Sequence, residues 1–92
     1  MTTERYSGKI LVVDDVRKNT ELFARILASD GFDVVTANNG EEALAAVAAH
    51  LPDAVLLDVM MPGLDGFEVC RRIKESPDSR LVPVLLVTAA GA

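Results

Sequence analysis

The sequence predicts an α/β fold, a doubly wound parallel sheet of four strands in the order 2-1-3-4. Three observations point to it. Short apolar runs alternate with helical patterns along the chain, which is the rhythm of βαβ units. The runs Ile10-Leu11-Val12-Val13 and Ala54-Val55-Leu56-Leu57 are apolar throughout, as in strands buried on both faces of a parallel sheet. Both runs end abruptly in acid, at Asp14-Asp15 and at Asp58, so neighbouring strands would gather these carboxylates at one sheet edge.

The elements follow in order. The first strand is Lys9 to Val13. The first helix spans Arg17 to Asp30, with Leu22, Phe23, Ile26 and Leu27 at helical spacing and Gly31 as its stop. The second strand is Asp33 to Ala37. Asn38-Asn39-Gly40 turns the chain and caps a second helix from Glu41 to His50, which Pro52 ends. The third strand is Ala54 to Leu57. Asp65, with Glu68 three residues on, is a capping pair for a third helix that runs to Glu75 and closes at Ser76-Pro77-Asp78. The fourth strand, Val84 to Val87, is entered through Pro83 and closed by Thr88.

Right-handed crossovers constrain the topology, and strand three, all-apolar and carrying acid at its end, is expected beside strand one, with strand two on the other side. The gap between strands one and three is then a topological switch point, where open α/β sheets bind ligands. Helix one lies on one face, and helices two and three lie on the other. The helix-one face of strands three and four is expected to be uncovered, and Val84 to Val87 to be an apolar edge.

Composition sets the bounds. A chain of 92 residues fits one small domain, here residues 9–92 behind a tail of residues 1–8. Half the residues are hydrophobic and a quarter are charged, which is a globular composition. A net charge of −5 argues against direct nucleic-acid binding. No apolar run approaches the ~20 residues that span a membrane, and Met1 to Ser7 lacks a signal-peptide core. Cys70, the single cysteine, allows no internal disulfide. A cytoplasmic location, with no membrane attachment, is the expectation.

Asp14, Asp15 and Asp58 carry the chemistry. Crowded carboxylates repel and call for a cation or a proton. An oxygen-rich trio is a hard site suited to Mg²⁺. Bland readings stand beside this one: Asp14 and Asp15 as helix caps, Asp58 as a turn residue. Asn19 reads as a solvent-facing helix residue near the pocket, His50 as surface, Cys70 as packing at i+3 to Ile73. Arg71-Arg72 reads as a solvated helix face, Met60-Met61-Pro62-Gly63 as loop geometry, and Gly66 as a close turn into helix three.

Four blocks in order resemble the receiver domain of two-component response regulators. They are Ile10 to Asp15, Asn39 to Leu44, Leu56 to Gly66 and Pro83 to Ala89. The stretch from Asp58 to Lys74 is similar to receivers found beside cyclic-dinucleotide synthesis domains. The resemblance implies a flavodoxin-like (CheY-like) fold and a signalling module rather than an enzyme. It implies that Asp58 is the phosphoacceptor, loaded by a sensor histidine kinase or phosphotransfer protein. Asp15 would be a direct Mg²⁺ ligand, Asp14 would act mainly through bound water, and the Met60 backbone carbonyl would supply a further metal oxygen. Thr88 would be the switch hydroxyl on the phosphoryl group, with small Ala89 leaving room beside it.

The family pattern also has a Lys at the end of a fifth strand. Lys9, Lys18 and Lys74 do not fill that role, and the sequence stops at Ala92, after strand four. The expectation is therefore an incomplete receiver that carries the metal and acceptor half. Self-association or a domain-swapped dimer through the uncovered sheet is also expected. The competing function is a phosphorylation-incompetent pairing module. A phosphatase with an Asp nucleophile fits less well, because such enzymes place an acid two residues on and position 60 is Met.

Overall fold

The computed structural model describes residues 8–88. The elements are β1 (Lys9–Val13), α1 (Arg17–Ser29), β2 (Asp33–Ala37), α2 (Gly40–His50), β3 (Ala54–Asp58), α3 (Gly66–Glu75) and β4 (Val84–Val87). The strands form one parallel sheet in the order β2-β1-β3-β4, as the sequence predicts. In register, Val13 lies between Ala37 and Leu57, and Asp58 lies beside Val87. The tail expected over residues 1–8, Gly8 apart, and Ala89 lie outside the described residues.

Small boundary differences have local causes. Helix α1 stops at Ser29 because Asp30 is already its C-cap. Gly31 then takes a left-handed φ of 98°. Its N–H donates to the Ala28 carbonyl at 3.0 Å, and the Phe32 N–H donates to the Leu27 carbonyl at 3.2 Å, a Schellman closure. Helix α2 starts at Gly40 because Asn39 is the N-cap, its side chain accepting the Glu42 N–H at 2.8 Å. Glu42 Oε1 reaches back to accept the Asn38 N–H at 2.9 Å. Strand β3 runs one residue further than expected, through Asp58, which stays in register with β4. Asp65 caps α3 as expected, accepting the Glu68 N–H at 2.9 Å.

Strand parity divides the side chains. Leu11, Val13, Val55 and Leu57 face one way and pack with Ala43 and Val47 of α2 and Val69 and Ile73 of α3. Cys70 is half-buried against this core. The other face belongs to α1. There Val12 is buried, and Phe23 shares a narrow apolar cleft with Val12, Leu56 and Val87. Coverage of that face is thin. Leu22 and Ile26 of α1 are 51% and 50% exposed, and Leu85 and Val87 of β4 are 52% and 40% exposed. The expected apolar, uncovered strip is thus present among the described residues.

Candidate metal centre

Strands β1 and β3 are neighbours and end at the same sheet edge. Asp14 and Asp15 leave the end of β1, and Asp58 is the last residue of β3. One carboxylate oxygen from each lies within 4.8 Å of the others. The sequence-predicted trio is brought together.

Each acid is held differently. The Asp14 backbone N–H donates to the Ala37 carbonyl at 3.2 Å. Its Oδ1 accepts the Val16 N–H at 2.9 Å, and its Oδ2 accepts the Asn19 side-chain amide at 3.1 Å. Asp14 thus closes a turn onto Val16, the N-cap residue of α1, and lines the site at once; α1 carries no side-chain cap, so the capping reading of Asp14 does not hold. Asp15 is exposed and has no side-chain partner among the described residues. Asp58 Oδ1 accepts the Met60 N–H at 3.0 Å. The surrounding groove is walled by Val16, Leu22, Phe23, Met60 and Val87.

Crowding shows in the electrostatics. Burial raises the Asp58 carboxyl above the ordinary value of 3.8, and the charges of Asp14 and Asp15 add to the rise. The Met60 N–H opposes it by stabilising the carboxylate. Three hard oxygens from like-charged groups are of the kind that could hold a small divalent cation such as Mg²⁺.

The loop after Asp58 is fixed from below. The Gly66 N–H donates to the Val59 carbonyl at 3.2 Å, and Gly66 is buried against this turn. Thr88 directly follows Val87, the register partner of Asp58. The lysines lie elsewhere. Lys74 Nζ donates to the carbonyls of Arg80 and Val82, ahead of β4. Lys9 opens β1 at the opposite sheet edge, and Lys18 is exposed on α1. Arg71 and Arg72 pair with Glu68, Arg71 also with Glu75, on their own helix. His50 is exposed.

Sequence reasoning undervalued Asn19 and did not single out Thr20 or Asn38. The Asn38 side-chain amide donates to the Asp14 carbonyl at 2.9 Å and to the Thr20 hydroxyl at 3.2 Å. Thr20 is buried and donates to the Arg17 carbonyl at 2.9 Å. For Asn19 a signal was available: it sits in the first turn of α1, five residues after Asp14. Asn38 reads in the sequence as a turn residue, and its grip on β1 is visible only once its side-chain direction is known.

Comparison with known proteins agrees with this geometry. Residues 10–92 match the response regulator receiver domain family. The chain is 52% identical over 83 residues to response regulator PleD of Caulobacter vibrioides, covering 90% of this chain and 18% of that protein. It is 49% identical over 81 residues to response regulator MprA of Mycolicibacterium vanbaalenii, covering 88% of this chain and 34% of that one. The chain therefore spans about a fifth to a third of these relatives. The N-terminal domain of a response regulator receiver protein from Methanoculleus marisnigri superposes with a TM-score of 0.87 at 46% identity, over 89% of this chain and 67% of that one. TrrA from Thermotoga maritima, solved in complex with Mg²⁺-BeF, gives 0.81 at 38% identity, over 91% and 71%. Sheet order, the acidic edge and sequence likeness thus agree, and the chain belongs to the response regulator receiver domain family.

Proposed function

We propose that this domain accepts a phosphoryl group on Asp58 from a phosphohistidine of a sensor histidine kinase or phosphotransfer protein. The observation that carries the reading is the convergence of Asp14, Asp15 and Asp58 within 4.8 Å at the switch point of the sheet. Asp14, Asp15, Asp58 and the Met60 backbone carbonyl would hold Mg²⁺. When bound, the cation supplies neutralisation of phosphoryl oxygens and alignment for in-line transfer.

The residues of the chain do the rest. The Met60 N–H holds Asp58 Oδ1, which orients the carboxylate and presents Oδ2 to phosphorus. An Asp58 oxygen–phosphorus bond forms as the nitrogen–phosphorus bond of the donor breaks, and the imidazole nitrogen keeps the electron pair. Asp14, held by Val16 and Asn19, keeps the metal side of the site in place. The Thr88 hydroxyl donates to a phosphoryl oxygen. The domain receives one phosphoryl group and is not a turnover enzyme. No described helix is long and apolar enough to cross a membrane, and exchange with an ATP-driven kinase would put the domain in the cytoplasm.

Intact-mass spectrometry after incubation with Mg²⁺ and a small acyl phosphate tests the reading. A single phosphoryl adduct on the wild type, absent from Asp58→Asn and absent with chelator, supports it. A folded wild type without adduct overturns it.

A second reading is pairing with another copy. Leu85 and Val87 are exposed apolar residues of β4, which has a strand partner on one edge only among the described residues. Such an edge is a template for a second strand. Light scattering across a dilution series would show a dimer that Leu85→Lys dissociates. A monomer at all concentrations removes this reading.

A further inference from the structure

We infer that Asn38 is a positioning residue that aims Asp15 at the cation through the peptide joining Asp14 to Asp15. The inference rests on the Mg²⁺ reading above. The Asp14 carbonyl can only accept, so the Asn38 group facing it is the donating amide. That amide spends both hydrogens locally, one on the Asp14 carbonyl at 2.9 Å and one on the Thr20 hydroxyl at 3.2 Å. The Asp14 N–H is tied to the Ala37 carbonyl. The last residue of β2, Ala37, and the residue after it, Asn38, therefore grip both peptide groups of Asp14.

The carbonyl of Asp14 and the N–H of Asp15 share one planar unit. Fixing that carbonyl fixes the plane from which the Asp15 Cα–Cβ bond departs. Asp14 has its own side-chain anchors in Val16 and Asn19. Asp15 has none among the described residues, so its aim depends on its backbone. The far end of the clamp is firm as well. The Asn38 N–H is held by Glu42 on α2, and buried Thr20 is held by the Arg17 carbonyl. Asn38 thus ties the β2–α2 corner to the β1–α1 corner directly beneath the acids.

The test reads Mn²⁺ affinity by electron paramagnetic resonance, with no phosphodonor present. Asn38→Ala is expected to weaken Mn²⁺ binding by about tenfold, as loss of a group supporting a ligand does. In an Asp15→Asn background the same change is expected to have less than a twofold effect, because the ligand it aims is gone. Val47→Ala, in the core away from the site, controls for lost stability and should leave Mn²⁺ affinity intact. A wild type that binds Mn²⁺ with Asn38→Ala binding equally, or a tenfold loss in both backgrounds, overturns the positioning role alone. A folded wild type that binds no Mn²⁺ overturns the metal reading and this inference with it.

Discussion

Gly66 leaves no room for a side chain against Asp58. A Cβ at this position would collide with the Asp58 carbonyl oxygen and would lie 2.7 Å from Val59 Cα. The first residue of α3 thus rests directly on the main chain of Asp58, the last residue of β3. Gly66→Ala is expected to lower stability by about 1–3 kcal/mol, the range of overpacking in a closed site, and to weaken divalent-cation binding by displacing Asp58. Urea unfolding and cation titration on the same variant check both. A change in stability without any change in affinity would separate the loop's packing from the site.

Asp58→Asn is expected to raise the melting temperature in chelator at pH 7 by roughly 2–5 °C. The wild-type carboxyl is held above its ordinary value of 3.8 by burial, then by Asp14 and Asp15. A raised folded-state value means the folded chain binds more protons than the unfolded chain, so stability falls as pH rises through that window. The advantage of the variant should therefore open as pH rises above 3.8 and vanish below it. Added Mg²⁺ should stabilise the wild type more than the variant. Scanning calorimetry at several pH values follows all three.

Glu68 titrates in the opposite sense. Hydrogen bonds from Arg71 and Arg72 lower its carboxyl from 4.5 to about 2. Stability from this pair is present above 4.5 and is lost as pH falls toward about 2. Arg71 and Arg72 are exposed and Glu68 is half-exposed, so water and salt screen them strongly. Glu68→Gln should lower the melting temperature slightly at neutral pH and low salt. The difference should shrink in roughly 0.5 M salt, where the screening length is only a few ångströms, and in acid. A direct NMR titration of the Glu68 side chain would show the lowered midpoint.

Leu51 closes α2 in a left-handed conformation, with φ of 45°. Side chains other than glycine lose about 1 kcal/mol or more in that region. Half of the Leu51 side chain is in water, so little packing is forfeited by removing it. Leu51→Gly should raise stability by about 0.5–1 kcal/mol in urea unfolding, with cation affinity unchanged.

The sheet was legible because buried parallel strands leave a dense, local mark: four short apolar runs, each bounded by Gly, Pro or acid. The caps at Asn39 and Asp65 were legible for the same reason, since an N-cap and its N3 partner are three residues apart. Asp14, Asp15 and Asp58 could be grouped because the third run is all-apolar and ends in acid, as a central strand beside the first would, and crossover handedness then constrains the topology. Asn38 and Thr20 could not. Their bond spans 18 residues and depends on side-chain rotamers at two corners of the sheet. Nothing in the run Thr36-Ala37-Asn38-Asn39 distinguishes a side chain that grips β1 from one that turns the chain. The exposure of Leu22 and Ile26 was likewise hidden, because a helical apolar stripe does not state how wide a surface will meet it.

The clamp between Asp14 and Asn38 closes a loop of 24 residues, whereas the β1–β3 register joins residues 44 apart, as in the bond from the Lys9 N–H to Asp53. Shorter loops close at lower entropic cost, and a chain leaving the ribosome presents its first segments first. The corner that aims Asp14 and Asp15 can therefore be finished by β1, α1, β2 and the start of α2 before Asp58 has been synthesised. Asp58 would be the last of the three acids to arrive, at a half-built acidic edge whose own repulsion opposes its docking. In a growing chain, anything that lowered the charge of that edge would ease the docking of strand β3.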